Sequence, residues 1–580
     1  MDKHDFLNGE IICIFNQRKD VYISINSIDA IVYASSDKEN KLVYKQKVKI
    51  PETSLKLSKI ENIENAPEIV KSFAESYQLF EVNIDEIRHG DLDRNSSILT
   101  GIMLLNSKTS WGINSKGYKK YTFKPRDSQY PKYIVASKLK STTNIYAKVE
   151  IQKWDKKQEN PQGIFVEKIG NINDENMYED VIVSSQNIIP RNQKSVFRKF
   201  SKTELVKNID YEEDLTQLKT FSIDPPGCLD IDDALSIRQV GENVEYIVNI
   251  ANPIEMFDVS TDLDNCAKFM TTSLYSDEKI YHLLPENIST KEASLLPNIE
   301  KGAISVIFSN INETKIVKTK IINKKAFSYD EFDSLTEEKE EIFEYFHKLF
   351  GILPEDSHEL VEKSMIYANE AVAKFLVNRI NKDTLLRKTV KNGGAYYLKY
   401  NENTSNNHES IGVALYTHFT SPIRRYADQI VIRQLLAIKK NLNYDVPDLD
   451  LLIRMNIVKF KEKRLQSELN WIKIASKNEN VQLVGELAYV SDNYARIDIS
   501  SPIENRIFIP MISNNITDII KVSDDHLENL TNNSKLEFES KEVVINLFWI
   551  SSKGLEGFRF EWLQPPISKW LAECACFEAQ

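Results

Sequence analysis

The stretch Phe221-Ser222-Ile223-Asp224-Pro225-Pro226-Gly227-Cys228-Leu229-Asp230-Ile231-Asp232-Asp233-Ala234-Leu235 gathers four carboxylates within ten residues. Apolar runs on both sides predict strands, and Pro-Pro-Gly between them forces a turn that brings the acidic ends together. Carboxylates this close repel one another, and burial raises their pKa values unless a cation compensates. Hard oxygen donors in that number suit Mg²⁺ or Mn²⁺, not zinc. Two such ions can activate a water, hold a scissile phosphate and stabilise the departing oxygen. A bare D-x-D-D reads as a solvated surface turn; the forced turn and the apolar flanks place these acids at the edge of a core instead.

A second group is Tyr416-Thr417-His418-Phe419-Thr420-Ser421-Pro422-Ile423-Arg424-Arg425-Tyr426-Ala427-Asp428. Ser421 suits an N-cap and Pro422 a first helical position, and apolar residues at Ile423, Tyr426, Ala427, Ile430, Val431 and Leu435 then trace one helical face. The spacing predicts a helix over 423–436. It places Arg424 and Arg425 in the first turn, where the macrodipole disfavours cations. A bound phosphate relieves that conflict; pairing with an acid elsewhere relieves it equally well, and Arg425 is the arginine more suited to that.

These groups need a scaffold, and the composition limits which. The chain has 580 residues, and 74 Lys+Arg against 85 Asp+Glu leave 74 − 85 = −11. At roughly 100–200 residues per domain this implies about three to five domains. A charge of −11 excludes a uniformly basic nucleic-acid coat but not a local basic channel. No apolar run approaches the roughly 20 residues of a membrane helix, and the first residues, Met1-Asp2-Lys3-His4-Asp5, resemble neither a signal peptide nor an organelle presequence. Five cysteines without a CxxC pair exclude a disulfide scaffold and a zinc finger. The compartment reads as reducing, cytoplasmic or nuclear; Cys574 and Cys576 in the tail carry no assignment.

Short alternating strands at 8–90 and again at 97–166 suggest two small β-barrels in series. In the second, Lys116, Lys119, Lys120, Lys124, Arg126, Lys132, Lys138, Lys140, Lys148 and Lys153 interleave with Trp111, Tyr118, Tyr121, Phe123, Tyr130 and Tyr133. Cations for phosphates and aromatic faces for bases are the chemistry of single-strand binding; a solvated face over core aromatics accounts for the same pattern. A basic linker at 191–202 leads into a mixed α/β region near 210–475. Its strands include Tyr246-Ile247-Val248-Asn249-Ile250 and Ala303-Ile304-Ser305-Val306-Ile307-Phe308, and its helices cover 330–350 and 360–379. Alternation after about 480 predicts a third barrel. The expected boundaries are 1–95, 96–205, 206–477 and 478–566, with a tail at 567–580.

The acidic and arginine groups together resemble the RNB family of exoribonucleases, which includes ribonuclease II, ribonuclease R and the exosome's catalytic subunit. Ile223-Asp224 through Asp230, Asp232 and Asp233 resemble its I-D-x5-D-x-D-D motif, and 416–428 resembles its Y-T-H-F-T-S-P-I-R-R-Y-x-D block. Leu360-Val361-Glu362-Lys363-Ser364-Met365-Ile366-Tyr367-Ala368-Asn369-Glu370-Ala371 and Leu385-Leu386-Arg387-Lys388 are further similar segments. The order is also that of the family: two cold-shock-type OB barrels, a mixed α/β RNB catalytic domain and an S1-type OB barrel. Phe123-Lys124-Pro125-Arg126-Asp127 and Pro161-Gln162-Gly163 are closer to the eukaryotic branch.

The resemblance implies a processive 3′-to-5′ exoribonuclease that hydrolyses single-stranded RNA to nucleoside 5′-monophosphates. It implies Mg²⁺, with Mn²⁺ as the alternative, on Asp224, Asp230 and Asp233. Asp232 would sit at the attacked nucleotide and Arg424 at the transition-state phosphate. Tyr275 would stack on the terminal base, Glu362 would lie near the terminal sugars, and Arg425 is counted with the RNA-binding residues. A core aromatic and a helix-face ion pair are the plainer readings of Tyr275 and Glu362. DNA is not expected as a substrate and no membrane is involved; helicase or other RNA-decay partners fit the family. An N-terminal endonuclease domain is not expected ahead of the first barrel.

The chain departs from the family pattern at Asn249 and Asn252, where His and Asp are usual, and at Ile432, where His is usual before Arg433. The interval between the Glu362 helix and the Arg424 block is short, and Glu468 is the candidate for a late acidic residue near the product. A catalytically silent RNA-binding relative is the second reading; all four aspartates being present weighs against it. A metal-dependent phosphatase is the third, and it leaves the Arg424 block and the barrels unexplained.

Overall fold

A computed structural model describes residues 6–15, 20–28, 30–35, 42, 46–57, 77–92, 98–108, 111–126, 130–139, 143–152, 160–172, 174, 177–201, 210–241, 243–276, 279–309, 313–389, 394–477, 480–490, 494–501, 505–510, 520–522, 526–529, 535–537, 542–550 and 557–564. Lys140, Lys153, Asp127, Cys574, Cys576 and the tail lie outside them.

Three sheets share one connectivity. In the first, Phe6–Phe15 lies between Asp20–Ile25 and Gln46–Pro51, and Ala30–Ser35 pairs in parallel with Gln78–Asn83. The second closes into a barrel of Ile98–Leu104, Lys119–Pro125, Tyr133–Ser137, Ile145–Ile151 and Gln162–Asn171, again with its third and fifth strands parallel. In the last, Asn480–Val490 lies between Tyr494–Ser501 and Glu542–Ile550, with Asn505–Pro510 and Gly557–Gln564 outside them. This is the OB order, and the chain is two N-terminal OB units, a mixed α/β domain and a C-terminal OB-type sheet.

The aromatics of the second barrel divide between its core and its surface. Phe123, Tyr130 and Tyr133 are buried in the core, whereas Trp111 is exposed. Lys138 lies 5.7 Å from the Tyr118 ring centroid and Lys119 lies 5.4 Å from that of Tyr121. The basic linker is not extended. Gln193–Phe200 is a helix with Val196 buried, because its apolar positions recur at helical spacing and find the core.

The central domain is built on β1 (Lys219–Asp224), β2 (Asp233–Val240), β3 (Asn243–Ala251), β4 (Glu300–Ser309) and β5 (Lys315–Ser328). The first half of β5 pairs antiparallel with β4 and its second half pairs parallel with β1, so the five strands close on themselves. One polar side chain from each strand joins a continuous buried chain. Thr220 meets Ser236 at 2.8 Å, Asn249 donates to Ser236 at 2.8 Å, Ser305 donates to Asn249 at 2.7 Å, and Ser305 meets Thr319 at 2.6 Å. Asn249 therefore has a full structural role where the family uses His.

Helices α1 (Asp262–Met270), α2 (Glu337–Phe350), α3 (Ser357–Ile380), α4 (Tyr426–Lys439) and α5 (Leu449–Lys477) complete the domain. The Asp356 carboxylate caps α3 by accepting from the Glu359 N–H at 2.9 Å. Every residue of α4 from Tyr426 to Leu435 is buried, so its apolar stripe marks only part of what it buries.

Helix α4 starts later than its sequence predicts. Residues 421–424 form a turn, Arg425 is extended (φ −131°, ψ 126°) and bridges Thr272, and helical geometry begins at Tyr426. The Ser421 N–H donates to Asp428 and the Ile423 N–H to Asp232, both through side chains that a first-turn assignment ignores. Neither arginine thus lies in the first helical turn, and the macrodipole conflict does not arise. Glu468 on α5 is likewise not a residue of the acidic cleft: it pairs with Arg126 of the second barrel. Asp450, near the start of α5, accepts from Ser24 at 2.7 Å and Asn26 at 2.6 Å of the first barrel.

A buried ion pair ties α1 to α4. Arg433 donates to Asp264 at 2.6 Å, and the Tyr426 hydroxyl donates to the same oxygen at 3.0 Å. Removing one partner of such a pair costs about 3–5 kcal/mol because the other charge is left uncompensated. Asp264→Ala is therefore expected to lower the unfolding free energy of this domain by that order, read as a lower urea midpoint at unchanged m; an unchanged midpoint would mean that the pair contributes nothing to holding α4.

Candidate active site

The turn between β1 and β2 is shaped as its sequence requires. Gly227 takes φ +79°, a conformation open to glycine, and Cys228 N–H closes the turn on the Pro225 carbonyl at 3.1 Å. The strands on either side pair from Lys219↔Ile237 to Phe221↔Leu235, which sets Asp224 and Asp233 at neighbouring strand ends.

All eight residues singled out from sequence line one cleft of about 570 Å³: Asp224, Asp230, Asp232, Asp233, Tyr275, Glu362, Arg424 and Arg425. Asp232 is 4 % exposed and accepts from the Ile423 N–H at 2.8 Å and from Arg424 Nε at 3.2 Å. Arg424, its side chain 46 % exposed, also donates to the Ser421 hydroxyl at 3.0 Å. Tyr275 donates from its hydroxyl to Asp230 at 2.9 Å. Arg425 turns to Asp428, at 2.8 Å, and to Thr420. Glu362 stands on α3 with Val361, Met365, Ile366 and Asn369, one face of the helix toward the cleft.

Backbone bonds lock these parts together. The Arg424 carbonyl accepts from the Ser273 N–H at 2.9 Å and from the Thr272 hydroxyl at 3.1 Å, and Tyr426 N–H donates to the Thr271 carbonyl at 2.8 Å. The segment leading into Tyr275 is thus joined directly to the arginine turn.

Burial dominates the electrostatics. It pushes the Asp224 carboxyl up to about 6, with Asp230 adding repulsion and Ser222 opposing. It pushes Asp232 up to about 7 against the opposing Arg424 and Ile423 N–H. Asp233 rises well above the usual carboxylate range through burial and the nearby Asp224 and Asp232. Burial also drives the Cys228 thiol up to about 12, which makes it a poor nucleophile.

The donor set fits a hard divalent cation. Asp224, Asp230 and Asp233 present only oxygen, and Asp224 Oδ2 is buried with no hydrogen-bond partner among the described residues. Among the described residues no three His, Cys, Asp or Glu side chains are drawn together around one point.

The sequence did not single out Tyr329, Asn369 or Tyr416 as individual site residues, although all three line the cleft. Tyr329 stacks on His358 with centroids 3.9 Å apart. Its Ser328–Glu331 capping box was legible, but not that the helix start would face the acids. Asn369 follows Glu362 by seven residues, two turns along the same face, and that spacing was the available signal. Asn252, directly after β3, is 3 % exposed, and neither polar atom of its side chain has a partner among the described residues.

The closed five-stranded core, the carboxylate turn and the arginine turn define an RNB domain, and the family profile of that name matches residues 212–349 and 393–441. A Dis3-like cold-shock domain 2 matches residues 120–187. The human exosome complex exonuclease RRP44 is 25 % identical over 461 residues, 60 % of this chain and 48 % of that protein. Ribonuclease R of Chlamydia pneumoniae is 25 % identical over 355 residues, 44 % of this chain and 51 % of its own length. The chain thus spans about half the length of these relatives. Among solved structures, Mycoplasma genitalium RNase R with ribose-methylated single-stranded RNA superposes with a TM-score of 0.66 at 17 % identity, covering 94 % of this chain and 98 % of that one. Yeast Ssd1, described as a pseudonuclease, superposes at 0.64 with 15 % identity and 97 % of both chains covered. At these identities the two structures establish the shared fold.

The raised carboxyls predict a pH-dependent stability. In the unfolded chain Asp titrates near 4; in the fold Asp224 does so at about 6 and Asp232 at about 7. Between those values the folded state holds more protons than the unfolded one, so stability falls as pH rises from about 4 to about 7. Urea midpoints of chelator-treated protein should drop across that window, and Asp224→Asn should shrink the drop. An equal drop in the variant would show that Asp224 is not a source of the strain.

Proposed function

We propose that this chain is a divalent-metal-dependent exoribonuclease that degrades single-stranded RNA processively from the 3′ end to nucleoside 5′-monophosphates. The observation that carries the reading is the joining of Asp232 to the Arg424 turn within a cleft that three further aspartates line. Asp224, Asp230 and Asp233 would hold the cation, with Mg²⁺ preferred and Mn²⁺ as the alternative. The bound cation would supply charge neutralisation at the scissile phosphate and an activated water.

The chain's own residues do the rest. The half-exposed Arg424 guanidinium is fixed through Nε and Nη2, and so is aimed before substrate arrives; a preorganised donor stabilises developing phosphate charge without reorganising. Asp232 holds it there and faces the attacked nucleotide. The Tyr275 ring takes the terminal base, and Glu362 takes the terminal sugar, where a 2′-hydroxyl distinguishes RNA from DNA. Arg425 contributes by holding the turn through Asp428 more than by meeting RNA. The exposed Trp111 and the lysine-flanked Tyr118 and Tyr121 of the second barrel suit a strand entering by stacking and charge.

The likeness to Ssd1 supports a second reading, a silent RNA-binding protein that keeps the fold for grip. The four aspartates and Arg424 favour hydrolysis. A time course on 5′-labelled single-stranded RNA with Mg²⁺, beside EDTA and the matching DNA, separates the two. A jump to a short end product on RNA alone supports the exonuclease, and tight binding without cleavage supports the silent relative.

Two variants test the roles. Asp232→Asn should abolish hydrolysis while RNA is still bound. Arg424→Ala should lower turnover about 10²- to 10³-fold, as for other lost transition-state donors. Full activity in either would remove the mechanism.

A further inference from the structure

The arginine turn is held from a second side, by a residue of the helix that carries Glu362. Asn369 is 1 % exposed and uses its amide three times on one short segment. Its Nδ2 donates to the Tyr416 hydroxyl at 3.0 Å and to the Thr420 hydroxyl at 3.3 Å, and its Oδ1 accepts from the Phe419 N–H at 2.8 Å. An Asn amide offers two donors and two acceptor positions, so nearly all its capacity is committed to residues 416–420. The next residue, Ser421, starts the turn that ends at Arg424, and its N–H is taken by Asp428 on α4. Thr420 joins the two anchors, since its hydroxyl also accepts from Arg425 at 3.4 Å.

We infer that Asn369 is a positioning residue for Arg424, and that it couples the α3 face carrying Glu362 to the arginine turn as one rigid unit. The inference rests on the exonuclease reading for its catalytic consequence but not for its structural one. The Phe419 N–H is the decisive group. Phe419 is 0 % exposed, so once Asn369 is removed this donor is left unpaired and the segment must shift to satisfy it. Because the turn spans only four residues, a shift at Phe419 moves the arginine that follows. Displacement of about 1 Å at a reacting group is enough to cost about 100-fold in rate.

The test uses the full chain with Asn369→Leu, which keeps the number and branching of heavy atoms and removes all three bonds, and Asn369→Ala in case the bulkier leucine packs badly. Amide hydrogen exchange over 416–425 is read without substrate. It should accelerate in either variant relative to wild type, while exchange in β1 to β4 stays unchanged; no acceleration would overturn the inference, even if the wild type proves unable to cut RNA. Single-turnover rates on saturating single-stranded RNA are then measured for Asn369→Leu in the wild-type and Arg424→Ala backgrounds. The expected loss is about 10- to 100-fold in the first and under about 3-fold in the second, because the variant acts through Arg424. Equal losses in both backgrounds would assign Asn369 to general stability and overturn the positioning role. A wild type that binds RNA but does not cut it would end the exonuclease reading and leave the exchange result standing.

Discussion

The site depends on how Asp232 is satisfied. At 4 % exposure a carboxylate is costly to bury alone. The fold offsets part of that cost with a backbone N–H and an arginine Nε, both drawn from 423–424, nearly two hundred residues further along the chain. The acid turn and the arginine turn are therefore not two features that happen to share a cleft. Asp232 receives two donors from the arginine turn, and Arg424 receives a fixed anchor for its Nε.

From that contact the remaining groups follow in sequence. The Arg424 carbonyl holds the 272–273 segment, which delivers Tyr275, whose hydroxyl returns to Asp230. The circuit closes on the same acidic turn from which it began. Asp428 and Asn369 brace it from α4 and α3, so the turns that carry the acids and Arg424 are tied to two helices.

The sequence made the chemistry more legible than the geometry. The four aspartates and the two arginines, chosen for their types and spacing, line one cleft with Tyr275 and Glu362, which only the family resemblance had pointed to; a carboxylate cluster at a forced turn has few structural uses, and Pro-Pro-Gly fixes where its ends go. The order of barrels and core was legible from changes in hydrophobic period. Local rules failed where a distant partner outbid them. Ser421 and Pro422 suit a helix start, yet Asp428 and Asp232 claim the N–H groups at 421 and 423, and the helix begins at Tyr426. The linker at 191–202 was legible as basic, but not that Gln193–Phe200 would be a helix whose Val196 is buried. Glu468 could be placed only by seeing that Arg126 is its partner.

The buried chain from Thr220 through Ser236, Asn249 and Ser305 to Thr319 also acts as a combination lock on the sheet. Side chains alternate faces, so a slip of one residue in any of the five strands replaces its polar member with a neighbour pointing the other way. Ser236, Asn249 and Ser305 are flanked on their own strands by apolar residues, Leu235, Ile237, Val248, Ile250, Ile304 and Val306, which offer no side-chain hydrogen bond. Asn249 alone has a fixed donor end and a fixed acceptor end, and it sets the direction in which the hydroxyls on either side point. A ring that tolerates a single alignment holds the strand ends at Asp224 and Asp233 in one register, and the spacing of the acids is thereby decided at the far side of the sheet from where it is used.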